Sequence, residues 1–87
     1  MTTKKHALFI SEPMGNKPVT AIPGIGPLAG GRLNQENYFY AYQLYGQYLV
    51  RGKDEEAFRE WFRTTTGESI SMPCVNAFRE WTQQYFM

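Results

Sequence analysis

The sequence predicts an all-α fold: a compact bundle of about five helices containing a helix-hairpin-helix at residues 19–36, paired as a homodimer. Three observations carry this reading. Gly24-Ile25-Gly26-Pro27 is a glycine turn opening onto a helix start, with proline at a position whose amide would be unbonded anyway. Ala57-Phe58-Arg59-Glu60-Trp61 recurs as Ala77-Phe78-Arg79-Glu80-Trp81, and each copy sets Phe and Trp three residues apart, as one buried helical face requires. A chain of 87 residues buries only about 60–65% of its unfolded surface. Its aromatic share of 16% supplies large apolar areas and leaves some for a partner subunit, which is the ground for expecting a dimer. Residues 1–87 read as a single domain.

Residues 3–12 read as a helix whose apolar side is Ala7, Leu8, Phe9 and Ile10 and which Pro13 stops. Residues 14–18 are a turn-rich connection. A short helix around Thr20 to Ile22 leads into the hairpin, where Gly24 and Gly26 are free to take positive φ. The helix from Pro27 to Glu36 should close at Asn37, which tolerates the left-handed conformation. Gly30 and Gly31 inside it each cost roughly 1 kcal/mol relative to alanine, which suggests close packing against the short helix before the hairpin. Tyr38 to Val50 fits two patterns: Tyr38, Tyr40 and Tyr42 alternate like a strand, while Tyr38, Tyr42, Tyr45 and Leu49 form a helical stripe. Helix is preferred for its length and context. Gly52 ends that helix, and Asp54 caps the next, with Glu55 and Glu56 in its first turn where the dipole favours them. Ser71 is the expected cap of the last helix and Pro73 lies in its first turn. Cys74, Phe78, Trp81 and Tyr85 then share one stripe, so Cys74 reads as core.

The hairpin is the candidate for chemistry. The amides of Leu28 and Ala29 are left outward at a helix N-terminus, which with the dipole behind them is a seat for phosphate, and Arg32 adds a full positive charge just over one turn on. Such an arrangement holds a nucleic-acid backbone without reading bases. A Gly-x-Gly turn before a helix is also common in chains with no ligand there. No hydrophobic strand precedes the turn and no Gly-Lys-Ser/Thr follows, which argues against dinucleotide and mononucleotide binding.

Net charge is +1 but unevenly placed. Residues 1–32 carry Lys4, Lys5, Lys17 and Arg32 against Glu12 alone, a net of +3, while residues 33–87 have a net of −2. The basic part contains the hairpin, which fits an anionic partner on one face and fits an ordinary solvated surface equally well. The single Cys74 excludes an internal disulfide framework, and no apolar stretch near the N-terminus suggests a signal peptide or membrane insertion, so a reducing, intracellular setting is expected. His6, the single histidine, sits among lysines, where an exposed or phosphate-facing place is expected in preference to general-base duty. The carboxylates are spaced as helix surface. The sequence therefore predicts a binding protein and not an enzyme, with no cofactor and no metal.

Several strings together resemble one family, the barrier-to-autointegration factors of animal nuclei: Met1-Thr2-Thr3 and Lys5-His6, Glu12-Pro13-Met14-Gly15 with Lys17, Gly24-Ile25-Gly26, Ala41-Tyr42, Gly46-Gln47, Lys53-Asp54-Glu55, Phe58-Arg59-Glu60-Trp61 and Arg79-Glu80-Trp81. Their joint order and spacing span essentially the full chain. The resemblance implies a helical homodimer whose protomers each carry one helix-hairpin-helix, bridging two double-stranded DNA duplexes without sequence preference. Carried over, the DNA-contact positions are Lys5, Gly24, Ile25, Gly26, Leu28, Ala29 and Arg32. The dimer and partner surface falls on Gly46, Leu49, Val50 and Ala57, and Thr2 and Thr3 match phosphoacceptors. The resemblance further implies LEM-domain proteins, lamins and histones as partners, and a place in the nucleus, on chromatin and at the nuclear envelope, with some protein in the cytoplasm.

Departures are informative too. Arg51 and Gly52 stand where the family usually has leucine and lysine, and Ala57 replaces a larger aliphatic residue. The stretch from Glu68 to Pro73 is shorter than the family's and lacks its basic residues, while Tyr38, Phe39 and Tyr40 replace a more polar turn. Two function classes follow: a non-specific DNA-bridging protein, or a diverged paralogue that has lost DNA binding and serves as an adaptor or heterodimer partner for nuclear-envelope proteins.

Overall fold

The computed structural model describes residues 3–85. Five α-helices and one 3-10 turn follow in order: α1 Lys4–Ser11, the turn Val19–Ala21, α2 Pro27–Gln35, α3 Ala41–Val50, α4 Glu55–Thr66 and α5 Met72–Tyr85. Among the described residues the sole extended pairing is an isolated antiparallel bridge between Pro18 and Tyr40, so the chain is all-helical as expected.

Helix boundaries follow local chemistry. Thr3 caps α1, its hydroxyl accepting the His6 amide at 3.1 Å. Asp54 caps α4 through the Ala57 amide at 3.1 Å, with Glu55 and Glu56 in the first turn. Asn37 closes the α2 end with φ +71°. One boundary differs from the sequence reading. The segment from Tyr38 to Tyr40 is not helical; it runs extended, Val19 donating to the Phe39 carbonyl at 3.0 Å, and α3 begins at Ala41. The alternating tyrosines therefore reported a short extended stretch, and the helical stripe begins after it. Gln43 fixes that start by accepting the Phe39 and Tyr40 amides at 2.8 and 2.9 Å.

The core is a cluster of aromatic rings. Phe78 on α5 lies 6.1 Å from Phe9, 5.2 Å from Tyr45, 5.7 Å from Tyr48 and 5.8 Å from Phe58, centroid to centroid, and so joins α1, α3, α4 and α5. Cys74 is wholly buried one turn earlier and burial raises its thiol pKa, which fits the core role expected for it. Tyr85, at the end of the same stripe, is exposed and packs on Trp81. The Tyr45 hydroxyl meets Thr82 Oγ1 at 2.6 Å; because Thr82 spends its own proton on the Phe78 carbonyl, Tyr45 is the donor. Arg79 clamps Glu55 with two bonds of 2.8 and 3.0 Å, tying α5 to the start of α4 and holding the Glu55 carboxyl below the usual carboxylate range. α1 packs on α5, and α2 packs on α4 and on the 3-10 turn. That last contact positions the hairpin.

Candidate nucleic-acid interface

Pro23 to Gly26 joins the 3-10 turn to α2, and two isoleucines pin it from below. Ile22 and Ile25 are both buried, and the Ile25 amide donates to the Ile22 carbonyl at 3.1 Å. Ile25 thus presents no side chain outward; it anchors the hairpin between two exposed glycines. Gly24 has φ +84°, and a Cβ there would collide with the Ser71 hydroxyl, which donates to the Gly24 carbonyl at 3.2 Å. Only glycine meets both demands. Ser71 directly precedes α5, as expected of its cap, and its carbonyl accepts from Cys74 and Val75; its side chain also ties the hairpin to α5 by donating to the Gly24 carbonyl.

Gly26 differs from expectation in a useful way. Its φ is −95° and ψ −170°, the extended geometry of an N-cap, and a Cβ at this position would meet nothing within 4 Å. The fold does not require glycine here. The first bond of α2 runs from Gly30 to the Gly26 carbonyl at 2.8 Å, and no side chain caps the helix. The Leu28 and Ala29 amides precede that bond and so have no partner within the helix. Leu28 is 62% exposed and Ala29 half-buried. Of the two helical glycines, Gly30 lies against the 3-10 turn as expected, since a Cβ would come 2.7 Å from Thr20 Cγ2. Gly31 faces open space, so close packing does not explain it.

Two cations accompany the hairpin. Lys5 comes from α1, its ammonium donating to the Ile25 carbonyl at 3.4 Å with donors to spare. Arg32 is partly exposed on α2, and its Nε pairs with Glu68 Oε2 at 3.4 Å. Sequence reasoning placed Arg32 beside the hairpin but not its carboxylate partner, because Glu68 is brought there by the end of α4, far away in sequence. His6 also departs from the reading: its imidazole is mostly buried and Nε2 lies 3.2 Å from Glu80 on α5, so it supports the α1–α5 packing and does not face outward. Thr3 caps α1, while Thr2 lies outside the described residues. No group of three or more His, Cys, Asp or Glu among the described residues is placed to hold a metal, and no helix there is long and apolar enough to cross a membrane.

A second surface lies on α3. Tyr42 is exposed and stacks on Tyr40 with ring centroids 5.5 Å apart, Gly46 lies one turn on, and Val50 is 78% exposed. Leu49 is partly buried against the core. Arg51 turns back over the Trp61 ring at 4.9 Å and donates to Gln47 Oε1 at 2.7 Å, so its charge is not directed outward from the Val50 face. Ala57 sits on the outer face of α4, in an open groove with Glu56, Glu60 and Ile70.

The family model described as barrier to autointegration factor matches residues 1–85. The chain is 43% identical over 86 residues to the barrier-to-autointegration factor of Danio rerio, covering 97% of this chain and 96% of that protein. It is 42% identical to that of Homo sapiens and 43% to barrier-to-autointegration factor 1 of Caenorhabditis elegans, each match covering 97% of both proteins. This chain belongs to the barrier-to-autointegration factor family.

Proposed function

We propose that this chain binds double-stranded DNA without sequence preference and, as a homodimer, bridges two duplexes. The observation that carries the reading is the uncapped N-terminus of α2: the Leu28 and Ala29 amides sit beside an unobstructed Gly26, with Lys5 and Arg32 nearby. Phosphate oxygens accept from such amides and are favoured by the dipole, and neither interaction distinguishes one base pair from another. Gly24, Ile25 and Ser71 shape the loop, while Gly26, Leu28, Ala29, Lys5 and Arg32 contact the backbone. The α3 face at Gly46, Leu49 and Val50, of which Val50 is exposed, supplies the dimer and partner surface together with Ala57. Its partners would be LEM-domain proteins, lamins and histones, the location chromatin and the nuclear envelope with some protein in the cytoplasm, and Thr2 and Thr3 the phosphoacceptors. A phosphate there would add about −1.5 to −2 charges near Lys4 and Lys5 and oppose DNA. The chain acts as a binding protein throughout, as one domain over residues 1–87.

The Arg32–Glu68 pair favours a second reading, an adaptor that has given up DNA. A bridging assay separates the two. With one random duplex immobilised and a second, unrelated duplex in solution at about 50 mM salt, the protein should retain the second duplex. Retention of neither duplex supports the adaptor, and protein that binds the first but not the second contradicts bridging.

A further inference from the structure

The connection between α4 and α5 touches the hairpin unit twice, through Ser71 to the Gly24 carbonyl and through Glu68 to Arg32. Glu68 is held in place from both sides. Its amide donates to Thr66 Oγ1 at 3.1 Å, and Thr66 is itself buried, its hydroxyl donating to the Phe62 carbonyl at 2.8 Å. Two residues on, Ile70 is buried in the core. Gly67 closes α4 with φ +76° and brings the backbone so near that a Cβ there would lie 3.7 Å from an Arg32 terminal nitrogen. Glu68 is the one charged residue between Gly67 and Pro73. A carboxylate is thereby built against the side chain expected to supply the hairpin's full positive charge.

We propose that Glu68 sets the strength of the phosphate site by competing with DNA phosphate for Arg32. The inference rests on the DNA-binding reading above. Both side chains are partly exposed, 48% for Arg32 and 34% for Glu68, so the pair costs little to open and phosphate can displace the carboxylate. The displaced carboxylate remains tethered within about 10 Å of the bound backbone, one Debye length at 0.1 M salt, and repels it. Bound and unbound states differ in where Arg32 points, and Glu68 biases that choice toward the unbound state.

The experiment measures affinity for a labelled random duplex by fluorescence anisotropy for the wild-type chain, Glu68→Gln and Glu68→Lys. Glu68→Gln should tighten binding about three- to ten-fold at about 50 mM salt, and the gain should fade as salt rises. Glu68→Lys should tighten it further. In an Arg32→Gln background the gain from Glu68→Gln should shrink to about two-fold or less, because the competed side chain is gone. Melting temperatures check that the fold is kept, since the bonds that hold this loop use the Glu68 backbone and not its carboxylate. Equal affinity of wild type and Glu68→Gln would overturn the proposal while leaving DNA binding standing. An undiminished gain in the Arg32→Gln background would overturn the competition for Arg32. Absence of binding by all three chains would overturn the DNA-binding reading, and this inference with it.

Discussion

Gly26→Asp should stabilise the folded chain by a few tenths of a kcal/mol and at the same time weaken duplex DNA binding by about 30- to 1000-fold. The two effects come from one geometry. Gly26 already has the extended backbone of an N-cap, and a side chain there enters open space, so aspartate is accommodated without strain. Its carboxylate then accepts the Leu28 or Ala29 amide, as capping aspartates do. The same carboxylate occupies the phosphate seat and repels whatever phosphate approaches, removing a charge-assisted contact and adding like-charge repulsion, together about 2–4 kcal/mol. Thermal denaturation and anisotropy on one preparation read both effects. Opposite signs support the account; a better-capped helix with unchanged DNA affinity would remove the α2 N-terminus from the interface.

Phe78→Ala should cost about 3–5 kcal/mol of stability, the range for deleting a fully buried ring. Phe78 contacts rings on α1, α3 and α4, so the cavity opens where these helices meet and no single neighbour can collapse into it. A chain of 87 residues has only about 4–13 kcal/mol in all. The variant should melt at least about 12 °C lower, and urea unfolding should show the loss directly. A drop of less than about 5 °C would contradict the central place given to this ring.

The hairpin was legible because glycine and proline act locally: Gly24 meets a backbone demand, and Pro27 and the uncapped amides follow from helix chemistry alone. The same holds for Asp54 at the start of α4 and Asn37 after α2. The buried stripe through Cys74 and Phe78 was legible from its period. What escaped notice is set by tertiary proximity. Tyr38 to Tyr40 is extended because Val19 and Pro18 pair with it, a contact no window of sequence contains. His6 turns inward because Glu80 waits on α5. Ser71 stands before α5 as a cap should, and its hydroxyl also reaches the hairpin across 47 residues, which no local pattern announces. Glu68 reads as loop surface until α4 delivers it to Arg32. Of the candidate site, local backbone features were therefore readable and the electrostatic balance around Arg32 was not.

The account stands on phosphates being gripped by hairpin amides and a few cations, and a salt titration of wild-type binding to random duplex DNA measures that most directly. Neutralising three to five phosphates per site predicts a slope of log affinity against log salt of about −3 to −4.5, the same for duplexes of unrelated sequence. A flat dependence, a strong preference for one sequence, or no binding at about 50 mM salt would contradict it.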